Sequence, residues 1–408
     1  MKCRHCGTET TLTLIDLGSA PPSNAYLTKS ALRRPEEWFP LKVMVCESCW
    51  LVQAEAYSRA AELFNEEYAY FSSFSDLWLK HASNYVETMV ERFCLGCESH
   101  VVEIASNDGY LLQYFNQLGI PCLGIEPTAS TAAASRQKGI ETVEEFFGVS
   151  LAASLASQGR QADLMTANNV LAHVPNINDF TQGFTILLKP HGVATFEFPH
   201  VMRLIEQKQF DTIYHEHFSY LSFSTVCRIF AANGLSVFDV EELGTHGGSL
   251  RVFAQRTDTG QQPLSGYVTE LLKREAMAGM HHTKYYQGFQ TQANKVKNNF
   301  LSFLLEVRSQ NRTIAGYGAA AKGNTLLNYA GIRTDLIPFV VDRNPAKQGK
   351  FLPGSRIPIV SEEYLRKHQP DFVLILPWNI KDEIVDQLAY IRQWGGRFVT
   401  AVPVLGII

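Results

Sequence analysis

The clearest hydrophobic pattern lies in the middle of the chain, where short apolar runs alternate with amphipathic stretches. The run VVEIA, from Val101, is short, apolar and β-branched, which predicts a buried strand. The turn SNDG follows it, and YLLQYFNQLG then shows helical periodicity up to Gly119. The next apolar run, CLGIEP, predicts a second strand with Glu126 at its end. We therefore predict a βαβ unit here.

The same alternation continues toward residue 258. ADLMTAN and GVATFEFPH predict two more strands, and GLSVFDVEEL and GSLRVFAQ flank GTHGG as an antiparallel hairpin. Parallel strands followed by an antiparallel pair are typical of class I methyltransferases, which use S-adenosylmethionine (SAM). An NAD-binding Rossmann unit gives a similar pattern, so the alternation alone leaves both cofactors open.

The first βα turn and the end of the second strand carry the candidate donor site. Glu126 lies about 20 residues past the first turn, where an acid can accept hydrogen bonds from both ribose hydroxyls of an adenosine. Gly109 lets the turn backbone approach a ligand closely, but a single glycine is a weak signal. The candidate donor-binding residues are Glu103, Ser106, Asn107, Gly109, Glu126, Asn168 and Asn169.

A second nucleotide-binding pattern follows a polar, helix-like stretch over residues 266–308. TIAGYGAAAKGNTLLNYAG predicts a strand, a glycine-rich turn and a helix, whose amides would receive a phosphate or diphosphate. LIPFVVD ends in an acid, and PDFVLILPWN predicts a further buried strand. The alternative is a glycine-rich turn without a ligand. The candidate substrate-binding residues are Gly316, Gly318, Lys322, Gly323, Asn324, Asp342 and Lys347.

Composition places these units in an ordinary globular protein. The 408 residues suffice for two or three domains, and 46% hydrophobic with 19% charged residues is usual for soluble proteins. The net charge of −4 disfavours a nucleic-acid partner. MKCRHCGTET lacks the apolar run of a signal peptide, and no apolar stretch is long enough to cross a membrane. We expect a cytoplasmic monomer that binds neither nucleic acid nor membrane.

Four cysteines near the N-terminus predict a zinc site. CRHCG and CESCW are CxxC pairs, and two such turns complete a tetrahedral set of thiolates on Cys3, Cys6, Cys46 and Cys49. Four thiolates leave no open position, so the zinc would be structural. The alternative is four unrelated buried thiols. Between the pairs, LGSAPPSNAYL predicts a loop.

The other cysteines give no metal pattern. Cys94 and Cys97 form a third CxxC pair without a partner pair, which favours packing over metal binding. Cys122 and Cys227 are predicted to fill the core.

Motifs along almost the whole chain resemble one enzyme family. They are CRHCG…CESCW, YAYFSSFSDLWLKH, VEIASNDGYLL, GIEPT, NNVLAHVPN, FEFPH, YHEHFSYLS, HGGSLRV and GYGAAAKGNTLLN…VDRNPAKQGKFLPGSRIPI. Together they resemble the nucleotide-sugar C-methyltransferases, which methylate carbon 3 of dTDP-activated 4-keto-deoxysugars with SAM. The resemblance implies an α/β protein with three units. These are a small zinc-binding domain (1–65), a class I methyltransferase sheet (66–258) and a second Rossmann-like domain that holds the nucleotide sugar (259–408).

The resemblance also implies the active-site residues Tyr68, His173, Tyr214, Glu216 and His217. Methylating a carbon beside a ketone requires a base to form an enolate, and a neutral histidine with a pKa of about 6.5 suits this task. We therefore predict His217 as the base. Tyr214 would donate to the enolate oxygen, and Glu216 would orient the sugar or a neighbouring donor.

Several alternatives remain open at this level. His215 and His217 could bind a metal, but no third ligand is evident nearby. The YHEH cluster could instead be purely structural. For the whole chain, the alternatives are an NAD-dependent enzyme acting on a nucleotide sugar, a non-catalytic zinc-ribbon binding module, and a methyltransferase of this architecture with another substrate.

Overall fold

Three β-sheets organise the chain in this computed structural model, which describes residues 1–57 and 71–408. The mixed α/β class predicted from the sequence is confirmed, with two Rossmann-like sheets and a small N-terminal sheet. None of the described helices is long and apolar enough to cross a membrane.

The N-terminal sheet is antiparallel and carries the cysteine pairs at its end. Its strands, in the spatial order β1-β2-β3-β9, are β1 Leu12–Ala20, β2 Phe39–Val45, β3 Val52–Ala54 and β9 Ser219–Tyr220. Strand β9 lies far along the chain, directly after the YHEH motif, and pairs with β3 through Val52 and Gln53. The motif is therefore tied by backbone hydrogen bonds to the N-terminal sheet.

The central sheet has seven strands in the order β10-β11-β8-β7-β4-β5-β6. They are β4 Val101–Ile104, β5 Cys122–Ile125, β6 Glu141–Val143, β7 Ala162–Asn168, β8 Leu188–Pro199, β10 Leu235–Leu243 and β11 Ser249–Arg256. Strand β11 is antiparallel to both neighbours, whereas β4 to β8 pair in parallel. The predicted hairpin and the class I arrangement are thus confirmed.

The C-terminal sheet is a second parallel sheet with one antiparallel edge strand. Its order is β14-β13-β12-β15-β16-β17. The strands are β12 Ile314–Tyr317, β13 Val340–Val341, β14 Ile359–Val360, β15 Phe372–Ile375, β16 Arg397–Thr400 and β17 Gly406–Ile407.

Helices cover the faces of the two larger sheets. They are α1 Asp76–Phe93, α2 Leu112–Gln117, α3 Ala129–Gln137, α4 Val149–Ser157, α5 Ile177–Leu187, α6 Val201–Glu206, α7 Phe223–Ala232, α8 Gly266–Ala278, α9 Thr283–Tyr286, α10 Phe289–Ser309, α11 Ala321–Tyr329, α12 Glu362–His368 and α13 Lys381–Gln387. Helices α8 to α10 fall in the polar stretch that was predicted to be helical.

One hydrophobic core joins all three units. It contains Val43 of the N-terminal sheet, Phe210 and Ile213 of the central unit, Phe300 of α10 and Leu326 of α11. Apolar burial of this kind stabilises by about 25 cal/mol per Å². The segment before the YHEH motif therefore packs in a core that the other two units help to build.

A buried carboxylate ties α8 to the central unit. Glu275 accepts from Nε2 of His200 (2.7 Å) and from the backbone N–H groups of Phe223 (2.7 Å) and Ser224 (2.8 Å), at the start of α7. Burial alone would raise the pKa of Glu275, but the hydrogen bond from His200 lowers it. The carboxylate is therefore held in its charged form by donors from two elements.

Local details differ from three predictions. Part of LGSAPPSNAYL is strand, because Ser19 and Ala20 still pair with Pro40 and Phe39 of β2. The packing prediction for the third CxxC pair is wrong, since Cys94 and Cys97 are exposed in the turn after α1. Cys122 and Cys227 are only partly buried and pack at the edges of the cores.

Candidate active site

The N-terminal cysteines converge on one point, as their spacing predicts. Sγ of Cys3 lies 3.5 Å from that of Cys49, Sγ of Cys6 lies 3.5 Å from that of Cys46, and all four lie within 4.8 Å of one another. A tetrahedron of Zn–S bonds of about 2.3 Å separates its sulfurs by about 3.8 Å. The four thiols therefore fit one zinc ion without rearrangement of the sheet.

The turn after β4 forms the candidate donor site with Glu126. The Glu126 carboxylate accepts from the backbone N–H groups of Asn107 (2.9 Å) and Thr128 (2.9 Å), and burial raises its pKa. Each oxygen keeps a lone pair for a ligand hydroxyl. Within the part of the chain that the structure describes, Oε2 of Glu103 and Oγ of Ser106 are buried without a hydrogen-bond partner. Buried acceptors in this state suit a ligand with donor groups, as SAM has.

Backbone conformation explains the sequence of this turn. Ala105, Asn107 and Gly109 all have positive φ, at 54°, 50° and 74°. A Cβ at Gly109 would lie 2.5 Å from Cδ1 of Ile140, so the positive φ and packing within the protein both favour glycine here. Close approach of a ligand at this position stays a prediction.

Two further candidate donor residues end the neighbouring strand β7. Oδ1 of Asn168 accepts from Thr166 Oγ1 (3.3 Å), and the N–H of Asn169 donates to the carbonyl of Glu197 (2.7 Å). Asn169 has a φ of 58°, so the chain turns sharply there. Because β7 pairs with β4, both asparagines lie beside the first turn.

The segment before α1 lies against the donor turn. The backbone N–H groups of Ser72 and Ser73 donate to Oδ1 of Asn107 (2.9 Å) and Oδ2 of Asp108 (3.3 Å). Nζ of Lys138 donates to Oγ of Ser73 (2.7 Å). Tyr68, predicted as an active-site residue, lies outside the described residues; the described end of its motif sits over the candidate SAM site.

The structure brings His217, His173 and Tyr214 together. The ring centroid of His217 lies 4.6 Å from that of His173 and 4.1 Å from that of Tyr214. Nδ1 of His217 lies 2.9 Å from the carbonyl oxygen of Thr212. A carbonyl can only accept, so Nδ1 carries the hydrogen and Nε2 carries the lone pair. The imidazole is thus fixed as a proton acceptor at Nε2.

Burial changes the acidity of these histidines. It lowers the pKa of His217 well below its usual value, with a further contribution from His173, and it lowers the pKa of His173 to about 4. The prediction that His217 has a pKa of about 6.5 is therefore wrong, because a buried imidazolium loses its hydration. Both rings are neutral at neutral pH.

The other members of the motif point to different partners. Nε2 of His215 lies 3.2 Å from the carbonyl oxygens of both Phe39 and Pro40, so His215 fastens the motif to β2. Both carboxylate oxygens of Glu216 accept from Nδ2 of Asn24, at 2.8 and 2.9 Å. Among the described residues the only metal-type cluster is the cysteine set, so the metal alternative for YHEH has no support.

The glycine-rich turn of the C-terminal unit is shaped by packing. A Cβ at Gly316 would lie 2.8 Å from Val340, one at Gly318 2.5 Å from Pro377, and one at Gly323 2.9 Å from Leu376. Gly318 also has a φ of 86°. These glycines let β12, α11 and the end of β15 approach one another closely.

Asp342, at the end of β13, bonds to the backbone of the glycine-rich turn and of its own loop. The Asp342 carboxylate accepts from the backbone N–H groups of Ala319 (2.7 Å) and Asn344 (2.8 Å), and Lys347 lies 3.8 Å away. Nζ of Lys347 also donates to the carbonyl of Ala319 (2.9 Å). The carboxylate is thus engaged by the turn and lies beside the Lys347 ammonium.

Lys322 lies toward the central unit. Its Nζ donates to Oδ1 of Asn379 (2.6 Å) and lies 4.8 Å from the ring centroid of Trp378, whose Nε1 donates to Asp211 (2.7 Å). Burial lowers the pKa of Lys322 to about 8 and raises that of Asp211 to about 6, while their opposite charges resist both shifts. The charge of Lys322 also lowers the pKa of His217. The cation of the C-terminal unit therefore acts electrostatically on the predicted base.

The sequence analysis missed several residues in the same region. The rings of Trp78 and His81 stack with centroids 4.9 Å apart, and His246 of the HGG turn lies 5.4 Å from Trp78. Nε2 of His81 bonds Oε2 of Glu197 (2.9 Å), and Arg251 bonds the other oxygen. These residues belong to the motifs DLWLKH, FEFPH and HGGSLRV. The sequence therefore contains them in recognisable motifs but does not show that the three motifs meet in space.

Asn324 does not reach an open ligand site through its amide nitrogen. Nδ2 of Asn324 donates to the carbonyl of Ser23 (2.6 Å), and Oγ1 of Thr325 donates to the carbonyl of Ile213 (2.8 Å). Helix α11 therefore contacts both the N-terminal loop and the segment that precedes Tyr214.

Comparisons with known proteins agree with this arrangement. Three family models match consecutive parts of the chain: a zinc binding domain at residues 3–64, a methyltransferase domain at residues 78–240 and a C-methyltransferase C-terminal domain at residues 244–403. The chain is 35% identical over 402 residues to C-methyltransferase NovU from Streptomyces niveus, covering 98% of this chain and 95% of that protein.

Two solved structures are similar to somewhat less than half of the chain. Magnesium protoporphyrin IX methyltransferase from Synechocystis PCC 6803 with bound SAH is 16% identical, with a TM-score of 0.35 over 44% of this chain and 83% of that one. A SAM-dependent methyltransferase from Clostridium acetobutylicum ATCC 824 is 10% identical, with a TM-score of 0.36 over 44% of this chain and 92% of that one.

The matches to the family models and to NovU exclude two alternative interpretations of the whole chain, an NAD-dependent enzyme and a non-catalytic binding module. With a methyltransferase domain at its centre and a cysteine cluster that fits zinc, the chain belongs to the C-methyltransferase family, as a SAM-dependent enzyme with a zinc-binding N-terminal domain.

Proposed function

We propose that this enzyme methylates carbon 3 of a dTDP-activated 4-keto-deoxysugar, in deoxysugar biosynthesis. The observation that supports the proposal is the tautomer of His217, whose Nδ1 hydrogen bonds to the Thr212 carbonyl so that Nε2 carries the lone pair that can accept a proton. The likeness to C-methyltransferase NovU and the motifs shared with nucleotide-sugar C-methyltransferases support the choice of substrate.

The chemistry needs a carbon nucleophile, since SAM, when bound, supplies an electrophilic methyl group. His217 Nε2 removes the proton from carbon 3, and the electron pair of the C–H bond moves toward the oxygen on carbon 4. Tyr214, whose ring lies against His217, donates a hydrogen bond to that oxygen. Carbon 3 then forms its bond to the methyl group while the bond between that methyl and the sulfur of SAM would break, leaving S-adenosylhomocysteine. The ketone returns, and His217 releases its proton to solvent.

The two Rossmann-like units divide the binding between them in this proposal. The central unit holds SAM through the turn after β4 and Glu126. The C-terminal unit holds the dTDP portion near its glycine-rich turn, with Lys322 as a cation for the anionic substrate.

His217→Asn tests the proposal, because asparagine has a similar reach but cannot accept a proton at neutral pH. Turnover should fall by about 10²–10⁴-fold while SAM and nucleotide sugar still bind by calorimetry. The variant should also stop exchange of the carbon 3 hydrogen with heavy water, measured with a donor analogue that has no transferable methyl, provided the wild type exchanges it. Tyr214→Phe should have a milder effect.

His191→Asn is the matched control, since His191 is exposed near the start of β8 and should keep full turnover. Near-normal turnover in the His217→Asn variant would refute the assignment and pass the role to Tyr68 or His173.

A further inference from the structure

We infer that Asn24, in the N-terminal zinc-binding unit, is a positioning residue that holds the Glu216 carboxylate in the orientation needed to contact the sugar. This inference deepens the proposed function and rests on it. It makes the loop between β1 and β2 a wall of the sugar pocket.

The contact between Asn24 and Glu216 is specific in its chemistry. Glu216 is only 3% exposed, and a single amide nitrogen of Asn24 lies within 2.8 and 2.9 Å of its two oxygens. Only the amide side of an asparagine can donate to a carboxylate, which fixes the direction of the side chain. Hydrogen bonds to charged groups are worth about 1.5–3 kcal/mol, more than those between neutral groups.

The opposite side of Asn24 contacts Tyr26. The hydroxyl of Tyr26 has one hydrogen, which can donate to Oδ1 of Asn24 (3.2 Å) or to the carbonyl of Ala319 (2.6 Å), and the shorter distance favours Ala319. Ala319 is part of the glycine-rich turn, and its backbone N–H donates to the Asp342 carboxylate. A chain of polar contacts therefore runs from Glu216 through the loop to the candidate nucleotide site.

The loop itself is anchored on the C-terminal unit at further points. Ser23 accepts from Asn324, and Leu27 exchanges two backbone hydrogen bonds with Phe351, at 2.9 and 2.8 Å. Glu36, further along the same loop, accepts from the N–H of Gly354 (2.6 Å). A segment fixed at this many places can hold Asn24 with little conformational freedom, as positioning requires.

Asn24→Ala tests the inference. We expect kcat to fall about 10- to 100-fold, because the reacting complex loses hydrogen bonds to a charged group. Binding of dTDP alone, which lacks the sugar, should equal that of the wild type by calorimetry. A general loosening of the loop would weaken dTDP binding as well, because the loop is anchored beside the glycine-rich turn. Thr28→Ala, in the exposed part of the loop, is the matched control and should keep wild-type kinetics.

Two further variants separate positioning from simple structural support. When Asn24→Ala is added to the Glu216→Gln variant, kcat should fall little further, because Asn24 acts through Glu216. Asn24→Asp keeps the shape but sets a second carboxylate against Glu216, so its turnover should be low near pH 8 and recover partly toward about pH 6, when one carboxyl takes up a proton. Loss of stability would not be reversed by acid in this way.

Wild-type turnover in Asn24→Ala, or fully additive losses in the double variant, would overturn the inference. Parallel loss of zinc, thermal stability and dTDP binding would overturn it too, in favour of a structural role. Failure of the proposed function is distinguishable, because in that case the wild type itself would neither bind dTDP nor methylate the nucleotide sugar.

Discussion

At the scale of single residues, burial decides how the predicted base behaves. His217 is held at Nδ1 by Thr212 and packed between His173 and Tyr214, so its ring is oriented before substrate arrives. The same burial lowers its pKa, which makes Nε2 a weaker base but keeps it unprotonated. In the proposed reaction, a weaker base requires stronger stabilisation of the enolate, which the proposal assigns to Tyr214.

The first prediction concerns the acid side of the pH profile. Because the pKa of His217 is lowered, the ring stays neutral as pH falls through 6.5, and protonation occurs only further down. The wild-type kcat should therefore show no loss attributable to an imidazole near pH 6.5. Steady-state kinetics between about pH 8 and pH 6 at saturating substrates check this, and a kcat that halves near pH 6.5 would contradict it.

The second prediction concerns the donor. Glu126→Gln keeps the shape of the side chain but turns one acceptor into a donor beside the N–H of Asn107 or Thr128. The turn and the ribose contacts should both weaken, raising the dissociation constant for SAM by about 10- to 150-fold. Calorimetry with SAH measures this, with Glu141→Gln on the exposed end of β6 as a control. Unchanged affinity would place the ribose elsewhere.

At the scale of elements, the zinc-binding unit supports the active site through strand pairing. Cys46 and Cys49 follow β2, and β3 pairs with β9 only two residues after His217. His215 also bonds the start of β2. The zinc cluster therefore stabilises the sheet on which one side of the YHEH motif rests.

The third prediction follows from this support. Freshly purified enzyme should contain one zinc per chain, and Cys46→Ser should lose it together with stability of the N-terminal sheet. Turnover should fall as a consequence, since β9 loses its partner. Cys94→Ser, at an exposed thiol outside the cluster, should keep zinc and activity. Metal analysis and thermal unfolding decide the outcome, and a zinc-free wild type would disprove the site.

At the scale of the whole molecule, Trp378 joins segments that follow strands of the two Rossmann-like sheets. Trp378 and Asn379 follow β15 of one sheet, and Nε1 of Trp378 donates to Asp211, which precedes the YHEH motif of the central unit. A Cβ at Gly247, in the HGG turn, would lie 2.6 Å from Trp378, so this turn must be glycine for the units to meet. If a nucleotide sugar binds at the carboxyl end of the C-terminal sheet, its sugar ring could therefore extend to the YHEH motif of the central unit.

The fourth prediction concerns Lys322 at this junction. Its pKa of about 8 means that the ammonium is charged below pH 8 and loses its proton as pH rises above it. The titratable groups that interact electrostatically with it are Asp211, His217 and His246. Since both histidines stay neutral and Asp211 stays charged over this range, KM for the anionic nucleotide sugar should rise above about pH 8 while KM for SAM does not.

Lys322→Arg keeps its charge at high pH and should flatten this rise, whereas Lys322→Met should raise KM for the sugar at every pH. Lys367→Met, on the exposed face of α12, serves as the control. Equal effects of Lys322→Met on both substrates would show that the C-terminal unit does not anchor the sugar.

The sequence by itself determined the elements and the chemistry that depends on local spacing. Alternating apolar runs predicted the strands of both Rossmann-like sheets, because period and length reflect burial of each strand. Paired CxxC turns predicted the zinc ligands, since a turn fixes the distance between its two thiols. Tertiary structure alone decided what acts at long range. It placed Asn24 on Glu216, Lys322 toward His217 and Asp342 on its own turn, and it shifted the pKa of His217. Those outcomes depend on contacts between residues far apart in the chain and on the loss of hydration around charged groups. A local sequence pattern reveals neither effect.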